Sequence, residues 1–283
     1  MPTVQQLFDL TGRVAIVTGG GTHLGTIMAE TLAELGAAVY IASRRGELCQ
    51  AVAAELRSKP LPAAASDQGS QQKRGSARPH LDVTGATCDA TDEAQVNALV
   101  ERVHSERGRL DIMVANAGGG RPSSYPPDGK LSELVEALNM NIVSTYLCAQ
   151  AAARKMASAR SGSIIALGSI ASSLGTDKRT YVATFRRSGP HYIAAKGGVL
   201  MLARSLACDF GEYGITVNCI SPGQVPKTGV TDPDQVEKFR LMIPLQRTGT
   251  PEDLKGVVAV LASDAGRWIT GQNFIVDGGW SAW

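Results

Sequence analysis

Short apolar runs alternate along this chain with longer stretches in which apolar residues recur every three or four positions. Val14-Ala15-Ile16-Val17 is apolar throughout and ends in a glycine cluster. From residue 24 to 35 the apolar positions are Leu24, Ile27, Met28, Leu32 and Leu35, a helical spacing, and Gly36 is placed to stop that helix. Val39-Tyr40-Ile41-Ala42 predicts a second strand. Further strands are predicted at 112–114, 163–167, 215–218 and 274–276. Helical patterns cover Gln95 to Val103, Leu131 to Met156 and Tyr192 to Tyr213. Strands apolar on both faces, with helices between them, predict a parallel sheet covered on both sides, and right-handed crossovers make it a doubly wound α/β fold. No repeat or linker divides the chain, so a single domain is expected.

Two segments break the rhythm. Residues 58–80 are rich in Ser, Gln, Pro and Ala without periodicity and read as an exposed loop. Residues 175–190 form a second insertion carrying Lys178, Arg179, Arg186 and Arg187. Either these charges draw an acidic substrate to the mouth of a site, or they face bulk water.

The chain has 283 residues, of which 43% are apolar and 19% charged, enough for a substantial core. Its net charge of +2 is too small to point to nucleic acid or an anionic membrane. No apolar run approaches the ~18 residues of a membrane span. Met1 to Leu10 lacks the pattern of a secretory signal, and a cytoplasmic location is expected. Cys49, Cys88, Cys148, Cys208 and Cys219 are scattered and odd in number, which argues against a disulfide framework or a zinc site, and no metal is expected. Cys88, Cys148 and Cys219 lie in apolar segments and read as small buried hydrophobes.

Chemistry enters at the first strand-to-helix turn, Thr18-Gly19-Gly20-Gly21-Thr22-His23-Leu24-Gly25. Such a turn lets backbone N–H groups approach a pyrophosphate at a helix N-terminus, where the helix dipole adds partial positive charge. It predicts a Rossmann-type dinucleotide site. A site for NAD places a carboxylate at the end of the second strand, on the ribose 2′-hydroxyl. Here Ser43 stands there, followed by Arg44 and Arg45. A guanidinium binds a 2′-phosphate through paired hydrogen bonds, so NADP(H) is preferred and NAD(H) remains possible. Tyr192 and Lys196 are spaced i and i+4, one above the other on a helix. A free phenol titrates near ~10, too high for acid/base work near neutrality, and a neighbouring ammonium lowers it. Ser169 follows the strand 163–167 at the carboxyl edge, where open α/β sheets place their sites, and Asn141 lies on the preceding helix.

In order along the chain, TGGGTHLG at 18–25, Asp89, Asn116-Ala117-Gly118, Asn141, Ser169, the Tyr192/Lys196 pair, Pro222-Gly223 and Asp277-Gly278-Gly279 resemble the short-chain dehydrogenase/reductase family, from Thr11 to Gly279. The resemblance implies a ketone/secondary-alcohol oxidoreductase with Asn141, Ser169, Tyr192 and Lys196 as catalytic tetrad. Tyr192 would be the acid/base, and Asn141 would hold a water that relays protons to Lys196. Cofactor contacts are implied at Gly19, Gly21, Thr22, His23, Leu24, Gly25, Ser43, Arg44, Arg45, Asp89, Ala90, Asn116, Ala117, Gly118, Tyr192, Lys196, Pro222, Gly223 and Val225. The last strand implies a homotetramer, or a homodimer.

Three departures stand out. His23 replaces a glycine, so either the local φ suits a side chain or the imidazole contributes a hydrogen bond. Ala115 replaces an asparagine. Ser169 and Tyr192 are separated by the basic insertion, which must loop out for them to meet. The insertion and the ending DGGWSAW are similar to sugar-acid and polyol dehydrogenases; steroid, acyl-carrier and small cyclic ketones are left open beside them. Reduction of the C=C bond of an enoyl thioester, and a non-catalytic NADP(H) sensor, are the rival readings. The Tyr-x-x-x-Lys spacing with Ser169 favours carbonyl chemistry, and retention of all four tetrad residues argues against a sensor.

Overall fold

The computed structural model describes residues 1–59, 80–120 and 123–283. Most of the loop expected at 58–80 lies outside the described residues. Seven strands form one sheet: β1 (Val14–Thr18), β2 (Ala38–Ser43), β3 (Val83–Thr87), β4 (Ile112–Ala115), β5 (Gly162–Leu167), β6 (Ile215–Pro222) and β7 (Asn273–Val276). Their order is β3-β2-β1-β4-β5-β6-β7 and every neighbouring pair is parallel. The chain turns back beside β1, so the crevice between the first strand and the fourth is the switch point at which such sheets bind ligands.

The helices are α1 (Val4–Phe8), α2 (His23–Glu34), α3 (Gly46–Ser58), α4 (Glu93–Arg107), α5 (Leu131–Leu138), α6 (Ser144–Ala159), α7 (Pro190–Phe210), α8 (Pro233–Met242) and α9 (Lys255–Ala262). The two faces of the sheet bury separate apolar sets. Ile16, Met113 and Ile164 point to one face, with Val96 and Leu99 of α4, Met156 of α6 and Val199 of α7. Val17, Val114 and Ile165, their immediate neighbours, point to the other, with Met28 and Leu32 of α2, Leu56 of α3 and Val258 of α9. The alternation follows from the two-residue period of a strand. Burying such a side chain contributes ~1.5–3 kcal/mol, so the strands are held from both sides. The result is the expected doubly wound Rossmann-type fold. Cys88, Cys148 and Cys219 are buried in the first set.

Three differences from the sequence expectation have physical causes. β3 is not evident in the sequence because Val-Thr-Gly-Ala-Thr lacks an apolar run. Its Gly85 is needed by packing, since a Cβ there would stand 2.5 Å from Gln50 N on α3. The helix expected from Leu131 to Met156 runs to Ala159, but a π-helical turn, Asn139–Val143, interrupts it. π turns concentrate at functional sites. Residues 175–190 do not hang free. Gln235 of α8 accepts from Val182 N (2.8 Å) and donates to Thr180 O (3.0 Å), while Lys238 donates to Tyr181 O (3.1 Å). No helix among the described residues is long and apolar enough to cross a membrane.

Candidate active site

A cleft of ≈ 2100 Å³ runs along the carboxyl ends of the strands. Of the residues expected at the cofactor, Gly19, Thr22, His23, Leu24 and Gly25 line it at the β1–α2 turn, and Ser43, Arg44, Arg45, Asp89 and Ala90 at the ends of β2 and β3. Asn116, Ala117 and Gly118 line it after β4, Ser169 after β5, Tyr192 and Lys196 on α7, and Pro222, Gly223 and Val225 after β6. Gly21 and Asn141 do not border the cleft.

The turn is built on close approach. A Cβ on Gly25 would lie 2.2 Å from Gly19 O, so only glycine lets the first turn of α2 pack onto the end of β1. Asn116 donates from Nδ2 to Thr18 O (2.9 Å) and Gly19 O (3.1 Å), holding the turn from the β4 side. His23 has φ +50°, so the backbone does not suit a side chain. A non-glycine residue there costs ~1–2 kcal/mol. The imidazole is instead hydrogen-bonded to the Pro226 backbone, in the loop after β6, and its Nε2 is buried without a partner. Burial, and secondarily Lys227, hold His23 below the ordinary histidine range.

At the β2 end no carboxylate occupies the ribose position. Ser43 Oγ accepts from Arg45 N (3.2 Å), and the Arg44 and Arg45 side chains are exposed at the cleft edge. Asp89 turns its carboxylate onto Thr91, accepting from N (2.9 Å) and Oγ1 (2.7 Å). Those bonds, with Arg44 nearby, lower its pKa. The residues present therefore fit a dinucleotide: a glycine turn at a helix N-terminus, and cations at the edge where the adenosine ribose would lie.

The residues expected to form the tetrad gather at the other end. Lys196 lies one turn after Tyr192, its Nζ 5.8 Å from the Tyr192 ring centroid, and donates to Leu167 O at 2.6 Å. Enclosure brings its pKa down to about 8. Ser169 caps a short 3₁₀ turn, its Oγ accepting from Ala171 N (3.1 Å), which leaves its own proton free to be donated. Asn141 sits in the π turn, fully buried. Its Oδ1 accepts from Gly119 N (3.0 Å), and Nδ2 donates to Gly119 O (2.9 Å) and Ala137 O (2.8 Å). Asn141 clamps the loop after β4, with both amide hydrogens committed. It still lies near Lys196, since a Cβ on Gly118 would stand 2.7 Å from Asn141 Oδ1 and 3.5 Å from Lys196 Nζ.

Sequence reasoning missed two groups. Glu133 on α5 accepts from the Ser123 and Ser124 hydroxyls and backbone, which brings its pKa down to about 2, and it lies 3.6 Å from Nε2 of His191, next to Tyr192. Tyr181, Phe185, Phe239 and Trp280 form an aromatic cluster bordering the cleft. In sequence the insertion's arginines drew attention away from its two rings, and Phe239 and Trp280 are remote from them. Of those arginines, Arg179 is paired with Asp177 and Arg187 lies over the Tyr125 ring, 4.2 Å from its centroid.

The family model described as enoyl-(acyl carrier protein) reductase matches residues 63–281. The chain is 33% identical to (+)-borneol dehydrogenase 1 of Salvia officinalis, covering 96% of this chain and 95% of that one. It is 34% identical to cyclohexanol dehydrogenase of a Rhodococcus species, covering 95% and 96%. A crystal structure of gluconate 5-dehydrogenase from Burkholderia cenocepacia, in complex with NADP and tartrate, superposes with a TM-score of 0.82 at 29% identity, covering 99% of this chain and 100% of that one. Similarity over nearly the whole length, the sheet order and the ordered motifs lead to one conclusion: the chain belongs to the short-chain dehydrogenase/reductase family of oxidoreductases acting on CH–OH and C=O groups.

Proposed function

We propose that this protein interconverts a ketone and a secondary alcohol using NADP(H), with Tyr192 as acid/base. The observation that carries the reading is Lys196 enclosed one turn from Tyr192 in the same cleft as Ser169. The nicotinamide, when bound, supplies or accepts the hydride. Ser169 directs its free hydroxyl proton at the substrate oxygen and orients it. Tyr192 delivers its phenolic proton to that oxygen in reduction and takes it back in oxidation. Lys196, held by Leu167 O, places a positive charge beside the phenol and favours the phenolate that proton transfer leaves. Asn141 positions the Gly118–Gly119 backbone against Lys196. Its committed amide hydrogens leave its Oδ1 as the side-chain atom that would hold a relaying water.

The cofactor preference rests on Arg44 and Arg45 and on the absence of a carboxylate at Ser43. Arg44→Asp is expected to shift the NADPH/NADH ratio of kcat/KM toward NADH by at least tenfold, since it exchanges an attraction for a repulsion at the 2′-phosphate. NADPH oxidation followed by absorbance over a panel of ketones and enoyl thioesters tests both points. Turnover of ketones by the wild type, with the ratio shifted in the variant, is the expected result. Turnover of enoyl thioesters alone contradicts carbonyl chemistry, and an unmoved ratio contradicts the cofactor assignment. A homotetramer fits β7 as a terminal strand of the sheet with Ile275 44% exposed, and a purely monomeric species in sedimentation contradicts it.

A further inference from the structure

We propose that the substrate is a neutral, apolar, ring-built ketone or secondary alcohol seated on the aromatic cluster, and not a sugar acid or polyol. This rests on the carbonyl/alcohol reading above and narrows it. Phe239, on α8, is 3% exposed and forms the floor. The half-buried rings of Tyr181, Phe185 and Trp280 stand at 89°, 88° and 78° to it, with centroids 5.8, 6.0 and 5.9 Å away. Tyr181 and Phe185 stack on each other at 5.7 Å. All four rings border the cleft, as do Leu174 and Met242. The insertion that supplies two of them begins after Ser169 and ends before Tyr192, so the chain itself ties the wall to the residues assigned to the carbonyl.

A sugar acid needs several free polar groups converging on its hydroxyls and carboxylate, because each hydroxyl stripped of water must find a partner. Much of the insertion's polar surface is engaged within the insertion or with α8 and the residue before it. Asp177 and Arg179 hold each other, Thr184 Oγ1 bonds Asp232 (3.2 Å), and the Thr180, Val182 and Tyr181 backbone is taken by Gln235 and Lys238. Arg186 borders the cleft, but its side chain is exposed, and a solvated guanidinium adds little to binding. What the wall offers is the remaining exposed aromatic area of Tyr181, Phe185 and Trp280, a fraction of the ~150–250 Å² that a whole aromatic side chain buries. Upright rings on a flat floor suit a rigid ligand, which loses little conformational freedom on binding. The wall's own charges are paired or solvated, Arg179 on Asp177 and Arg186 in water, so the wall offers no counter-charge to a charged ring, leaving a neutral one.

The test is calorimetric titration of cyclohexanone, tert-butylcyclohexanone, decalone and ketogluconate into the full chain saturated with NADP+ or NAD+, where a ketone meets no hydride donor. In parallel, turnover of each ketone is followed with the reduced cofactor. Burying a methylene strengthens binding roughly fourfold. Decalone is therefore expected to bind at least tenfold more tightly than cyclohexanone, with ketogluconate weakest. Phe185→Ser, at a half-buried position, is expected to weaken decalone at least tenfold and leave ketogluconate within twofold. Trp280→Ala repeats the test should Phe185→Ser lose its thermal transition. Ketogluconate binding more tightly than decalone, affinity flat with apolar bulk, no ketone bound, or both variants leaving decalone unchanged overturns the proposal. Decalone bound but never reduced supports the wall and contradicts the carbonyl reading. Ketogluconate reduced with decalone ignored does the reverse.

Discussion

Lys196 shows how one residue carries both the proposed chemistry and a cost. Its ammonium is wholly enclosed, with Leu167 O as hydrogen-bond partner, and burial brings its pKa from 10.5 down to about 8. The folded-state value lies below the unfolded one, so between about 8 and 10.5 the unfolded chain holds more protons and stability rises with pH. Below about 8 the full penalty is present, on the order of 3 kcal/mol. Lys196→Met removes the titration and leaves only the unsatisfied Leu167 carbonyl, worth about 1–3 kcal/mol. Chemical denaturation at pH 7 and pH 10 is expected to show wild-type stability gaining on the variant as pH rises. A difference constant across that range contradicts the account. The spacing of Tyr192 and Lys196 was legible in the sequence because a helix turn maps directly onto it. The clamp made by Asn141 was not, since it depends on a π turn that places its amide against Gly119, twenty-two residues earlier in the chain. His23 was legible as a departure, but its left-handed backbone and its reach to Pro226 depend on the loop after β6.

At the scale of elements, strands and helices with strong periodicity were legible, and those defined by contact were not. β1, β2, β4 and β5 are apolar on both faces and announce themselves. β3 exists because α3 packs onto it through Gly85, a contact without a local signature. The insertion was legible as an interruption but not as a wall, because its partner α8 follows it by some fifty residues and pins it through Gln235, a buried polar side chain. The β1–α2 turn is the element most exposed to a single methyl group. Gly25→Ala would set a Cβ 2.2 Å from Gly19 O, so the helix start must move off the strand. Overpacking of this kind costs ~1–3 kcal/mol. The expected outcome is a lowered thermal midpoint and at least tenfold weaker NADPH binding in fluorescence titration. Unchanged cofactor affinity contradicts the placement of the pyrophosphate at this turn.

Across the whole molecule, the parallel sheet sets the distance between the two ends of the site. Arg44 and Arg45 follow β2, and Pro222 ends β6, four strand spacings away in the order β2-β1-β4-β5-β6. At ~4.8 Å per spacing the ends lie ~19 Å apart, the span of an extended dinucleotide. On the proposed reading, one end would meet the ribose phosphate while the other would present Ser169, Tyr192 and the aromatic wall. The most direct test of the account is Tyr192→Phe, which deletes one oxygen beside Lys196. Measured by NADPH oxidation with a turned-over ketone, kcat/KM is expected to fall about 10²- to 10⁴-fold, the contribution of a positioned general acid. The NADPH dissociation constant should stay within about threefold. A variant that keeps wild-type kcat/KM contradicts the assignment of Tyr192 as the acid/base.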